Sequence, residues 1–123
     1  MTRTALALNP KEWQAYRPVT KMDGVQIAER WESAWNVACR AGDVLRQKFG
    51  AARVSVFGSL AHRAWFTPWS DIDLAAWGIP PSRFYQAVAA VTGLSSEFEI
   101  NLIAWEDCQP ALCQAIEREG IEL

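Results

Sequence analysis

Arg53-Val-Ser-Val-Phe-Gly-Ser-Leu-Ala61 and, eight residues later, Ser70-Asp-Ile-Asp-Leu74 are the two stretches whose reading decides the fold. Arg53–Phe57 is short and β-branched and is closed by Gly58, so it reads as a strand. Ser59 to about Ala64 reads as a short helix, and Trp65 to Ser70 as a loop. Residues 71–77 alternate polar and apolar at their start, as a half-buried strand does. Residues i and i+2 of a strand share a face, which makes Asp71 and Asp73 neighbouring carboxylates while Ile72 and Leu74 point into a core. Two such carboxylates repel unless a cation lies between them, and a hard divalent ion such as Mg²⁺ suits that role. Gly58 lets the backbone come close to a ligand. Ser59, in the first turn after it, offers a hydroxyl and free N–H groups to a phosphate. A D-x-D pair alone, or Gly-Ser alone, is commonplace. A phosphate cradle facing a metal clamp is a site for nucleotidyl transfer.

Working outward, residues 25–49 repeat apolar positions at threes and fours (Ile27, Trp31, Trp35, Ala38, Leu45, Phe49), which predicts a helix stopped by Gly50. Gly42 inside the run argues against a single unbroken helix. Pro80 and Pro81 lead into a helix over 82–92 that ends at Gly93. Residues 98–104 read as a third strand with Phe98, Ile100 and Leu102 on one face, and Gln109 or Pro110 opens a last helix that stops at Gly120. The order α-β-α-β-α-β-α predicts an α+β, sandwich-like domain, a small sheet with helices packed on it, over residues 21–123. Residues 1–20, punctuated by Pro10 and Pro18, read as an N-terminal arm.

The 123 residues suffice for one domain with one real core. Charge sums to −2, so a protein built to grip nucleic acid through many phosphates is not expected. No run of 18 apolar residues spans a membrane, and the start lacks a signal-peptide pattern. Cys39, Cys108 and Cys113 fit no zinc spacing, and they read as idle thiols of a cytoplasmic protein.

Gly58-Ser59-Leu60-Ala61, eight residues, then Ser70-Asp71-Ile72-Asp73-Leu74 resembles the signature of the minimal nucleotidyltransferases of the polymerase-β superfamily. The likeness runs over roughly residues 25–123, to the helix end Ala115-Ile-Glu-Arg-Glu-Gly-Ile121. It implies the nucleotidyltransferase fold, with a mixed, mainly antiparallel sheet backed by helices. It also implies ATP or another nucleoside triphosphate as donor and two Mg²⁺ ions as cofactor. Carried over, Gly58 and Ser59 bind the triphosphate, and Asp71 and Asp73 hold the metals, one activating the attacking hydroxyl and one stabilising the departing pyrophosphate. The family's third carboxylate is Asn101 here. An amide oxygen can ligate a metal but cannot take a proton from the attacking hydroxyl. Glu99, two residues earlier and about 6–7 Å away along the strand, is the candidate substitute. Arg63 stands where relatives often carry glycine; it would be strained if the position needs a positive φ, and is a candidate phosphate ligand. The resemblance also implies a small helical partner of the HEPN type, encoded as a toxin, with which the chain would form a hetero-oligomer.

Two functions from different classes follow. One is a Mg²⁺-dependent enzyme that moves a nucleoside monophosphate, AMP from ATP, to a hydroxyl of the partner (AMPylation). The other is a catalytically impaired antitoxin that neutralises its partner by binding alone, and Asn101 separates the two. Transfer to a small molecule is a third, weaker reading. His62, beside the cradle, lacks the oriented base partner of a nucleophilic pair. Trp65, Phe66 and Trp69 either pack under their loop or stack on a base. Trp31 and Trp35 read first as a core-facing stripe.

Overall fold

A computed structural model describes residues 24–123; the arm read over residues 1–20 lies outside them. Helix α1 (Gly24–Phe49) leads into β1 (Arg53–Phe57), followed by two 3₁₀ turns, Gly58–Ala61 and Arg63–Trp65. Then come β2 (Ile72–Trp77), α2 (Phe84–Thr92), β3 (Ile100–Ala104), α3 (Pro110–Glu119) and β4 (Ile121–Glu122). The sheet order is β3-β2-β1-β4. β1 runs antiparallel to both β2 and β4, whereas β2 and β3 are parallel, so the sheet is mixed and mainly antiparallel.

One face carries Val54 and Val56, Ile72, Leu74 and Ala76, and Ile100 and Leu102. They pack with Ala34, Val37, Ala38, Ala41 and Leu45 of α1 and Ala87 and Val91 of α2 in one buried cluster. These are the apolar positions of period two and period 3.6, so each element buries the stripe its sequence supplies. Trp31 and Trp35 are half-buried against this core, an edge-to-face pair 6.0 Å apart. α3 lies over the other face, where Ser55, Ala75 and Ile116 are buried and Arg53 reaches Glu117.

Several expectations need correction. α1 runs unbroken through Gly42, because that glycine is a packing site: a Cβ there would stand 3.0 Å from Leu123 Cδ1. The residues after Gly58 form two 3₁₀ turns split at His62, whose backbone is extended, not one short helix. The fourth strand was not expected; Ile121–Glu122 is too short to show a period, and it forms because Leu123 N donates to Val54 O at the free edge of β1. Cys108 and Cys113 are joined in a disulfide and Cys39 is exposed, so the idle-thiol reading fails for two of the three. The six-residue segment from Cys108 to Cys113 turns into α3, with Cys113 N on Gln109 O, and this local fold is what brings the sulfurs together. No helix among the described residues is long and apolar enough to cross a membrane.

Candidate active site

The topology gathers three strand ends. β1 is antiparallel to β2, so its C-terminus lies beside the start of β2; β3 is parallel to β2, so its start lies there too. The register pairs Phe57 with Asp73 and Asp73 with Asn101. Asp71 precedes β2, and Ile72 N donates to Glu99 O across to the approach of β3.

Asn101 joins the two carboxylates. Its Nδ2 donates to Asp73 Oδ1 at 3.1 Å and more weakly to Asp71 Oδ2 at 3.4 Å. Burial raises the Asp73 pKa above its ordinary 3.8; the Asn101 hydrogen bond opposes that and the Asp71 charge adds to it. The amide thus shares donors with both anions but brings no charge to neutralise them.

Gly58 makes the closest approach. Its φ is +73°, and a Cβ on it would stand 2.5 Å from Asp73 Oδ2. The absent side chain therefore serves twice, admitting the left-handed turn that ends β1 and leaving room for the Asp73 carboxylate. Ser59 follows in the 3₁₀ turn, half-buried, and that turn is anchored from below. Leu60 is fully buried, and Trp31 Nε1 donates to Leu60 O at 3.3 Å. Gly58, Ser59, Asp71, Asp73 and Asn101 are thus brought to one end of the sheet.

Glu99 and Arg63 are placed differently. The Glu99 side chain is exposed, and among the described residues no three His, Cys, Asp or Glu side chains come together as a metal cluster. Arg63 opens a 3₁₀ turn and needs no positive φ; its guanidinium lies over the Trp31 ring, 5.7 Å from the centroid. His62 has no hydrogen bond to the Ser59 hydroxyl. Its ring rests 4.0 Å from that of Trp65, and Nε2 is 3.5 Å from Glu119 Oε1, near enough for attraction when protonated but not aligned as a hydrogen bond. Phe66 is buried, whereas Trp65 and Trp69 stand 55% and 61% exposed. The Trp31 bond to Leu60 and the cover of Arg63 over Trp31 were not legible beforehand. The helical spacing placed Trp31 on a stripe, but nothing local paired that stripe with the cradle turn.

The donor set consists of two carboxylates, an amide oxygen available if Asn101 turns over, and a hydroxyl. All are hard oxygen donors of the kind Mg²⁺ takes, and the approach of Asp71 and Asp73 to one amide shows that they converge on a common point. The residues fit such an ion.

No protein-family model matches the sequence, and none of the curated proteins does. Solved structures do. A chain of the crystal structure of the toxin–antitoxin MntA–HepT superposes with a TM-score of 0.53 at 15% identity, over 72% of this chain and 69% of that one. Two variants of that pair give 0.57 at 19% identity (69% of each chain) and 0.55 at 16% (69% of this chain, 70% of that one). The second of these carries aspartate-to-glutamate changes at two positions two residues apart. A structure described as a minimal nucleotidyltransferase is 27% identical over 84% of this chain and 98% of that one, with a TM-score of 0.49. At these identities the MntA–HepT likeness speaks for the fold alone: the chain shares the α+β fold, a mixed sheet backed by helices, of those structures.

Proposed function

We propose that this chain is a nucleotidyltransferase-type member of a two-protein toxin–antitoxin pair, and that it moves a nucleoside monophosphate, AMP from ATP, onto a hydroxyl of its partner. The observation that carries the reading is the convergence of Asp71 and Asp73 on Asn101, packed against the missing side chain of Gly58. The MntA–HepT pair supports it: the matched fold belongs to a toxin–antitoxin complex, and one variant changes aspartates with the spacing of Asp71 and Asp73. The partner is then a small helical protein of the HEPN type.

In this reading Asp71 and Asp73 hold two Mg²⁺, which, when bound, supply charge neutralisation for the phosphates and activation of the acceptor hydroxyl. Gly58 lets the triphosphate approach the backbone, and Ser59 donates its hydroxyl to a phosphate oxygen. Trp31 and Leu60 keep the cradle turn from shifting. Asn101 orients the two aspartates but cannot accept the acceptor proton. The exposed Glu99 is the nearest carboxylate in sequence able to do so, from the solvent side. Arg63, whose side chain is exposed, would leave the Trp31 ring to meet a phosphate.

Asn101 favours one second reading, an antitoxin that neutralises by binding alone. Co-incubation with the helical partner, ATP and Mg²⁺, followed by intact-mass analysis, separates the two. A gain of one or more AMP units, lost in the D71N/D73N double variant, is expected. A tight complex without mass change would establish the second reading.

A further inference from the structure

The connection from the cradle to Asp71 is built more firmly than its exposure suggests. Phe66 plugs it into the core. Thr67 N donates to Ser70 Oγ at 2.8 Å, Ser70 N to Thr67 O at 3.1 Å and Trp69 N to Thr67 Oγ1 at 3.2 Å, a turn that closes on itself beside Asp71. Two tryptophans nevertheless stay in solvent on this fixed frame. An indole held on a turn fixed in this way presents a preset flat ring to solvent, the kind of surface that aromatic binding sites use.

Position and shape indicate which ligand. Trp69 is two residues from Asp71, so their Cα atoms are no more than about 7 Å apart. Trp65 follows Ser59 by two turns, with His62 N on Ser59 O and Trp65 N on His62 O. Six residues on and tethered through those two bonds, Trp65 stays on the connection that joins the cradle to Asp71. One face of the Trp65 ring is already covered by His62. The face left open is a single flat ring, flanked by the exposed Arg63, Ala64 and Thr67, not a broad apolar patch. A planar base fits that better than a protein anchor, which needs a surrounding ring of contacts.

We infer that Trp65, backed by His62, is the stacking platform for the nucleobase of the donor nucleotide, and that Trp69 closes the same subsite from the Asp71 side. The inference rests on the proposed transferase reading and supplies the base subsite that reading lacks. Stacking uses the π-face every base possesses.

The test measures Mg²⁺–ATP and Mg²⁺–tripolyphosphate binding by calorimetry for wild type, W65A, W65F and W69A. W65A should weaken ATP roughly ten- to hundred-fold, W65F should recover most of that, W69A should show a smaller loss, and tripolyphosphate should bind all four alike. Equal ATP affinity in W65A and wild type would overturn the platform. Parallel loss of both ligands would overturn it too, because the effect would then run through the cradle. Unchanged ATP binding with loss of the protein partner would replace it with a partner surface. A wild type that binds neither ligand would instead sink the transferase reading itself, and the platform with it.

Discussion

The face of the sheet under α3 has two unlike ends. At the far end Arg53 lies over the Trp77 ring (4.3 Å), Trp77 stacks on Trp105 (4.9 Å), and Arg53 is answered by Glu122 at 3.0 Å and Glu117 at 3.8 Å. Arg53 there has two opposite charges and an aromatic neighbour. At the near end, on the same strands, Asp73 and Asp71 face each other through one neutral amide, and burial pushes the Asp73 pKa up. The difference is that one end completes its electrostatics within the chain, whereas at the other neither Asp71 nor Asp73 has an ion-pair partner among the described residues, which is what the proposed metal-binding role requires.

The widest separation between the ends should come from D71N/D73N. Partner modification should fall about 10³-fold or more by intact mass, with thermal stability held or raised because like charges have been removed. Trp77→Ala should do the reverse: it removes two ring contacts and should cost about 3 kcal/mol in denaturant titration while per-molecule activity persists. Retained stability there would show that the Arg53–Trp77–Trp105 stack contributes little to the fold.

Glycine substitutions sharpen the contrast further. Gly50 and Gly58 have the same φ of +73°, but a Cβ at Gly50 meets nothing within 4 Å and one at Gly58 meets Asp73. Gly50→Ala should therefore cost only about 1 kcal/mol of conformational strain. Gly58→Ala should cost more and weaken Mg²⁺ binding as well. Equal losses at the two positions would mean that Asp73 simply moves aside.

Asn101→Asp should raise the transfer rate and lower metal-free stability, and Mg²⁺ should restore more stability than it does in wild type. A slower variant would show that the amide itself is needed.

The smallest effect is in pH. A raised Asp73 pKa means that the folded chain holds this proton more tightly than the unfolded one, so stability contributed by Asp73 falls as pH climbs from 3.8 through the folded value and is level above it. Urea titrations in EDTA should show that slope reduced in Asp73→Asn. An unchanged slope would assign it to other carboxylates.

Much of the site was legible because its logic is local. The period of two put Asp71 and Asp73 on one face, and Gly58-Ser59 marked the strand end. What the spacing could not show was contact. The residue pattern put Asn101 on the third strand and the resemblance put it at the third carboxylate's position, yet its bridge to two aspartates depends on a parallel β2–β3 pairing. Gly42 read as a helix weakness because the residue that needs its space, Leu123, lies 81 positions away. Cys108 and Cys113 read as unpaired because spacing alone does not show a turn.

By itself, then, the sequence determined β1, β2 and β3, the helices α1, α2 and α3, and the shared face of Asp71 and Asp73, which follow from periodicities and stop signals within a few residues; β4 and the two 3₁₀ turns after β1 did not follow from it. Tertiary structure alone decided that the ends of β1, β2 and β3 meet, that Trp31 braces Leu60, and that Trp65 and Trp69 remain in solvent while Phe66 does not. Strand order, register and burial are set by packing between segments far apart in the chain, and no local propensity encodes them.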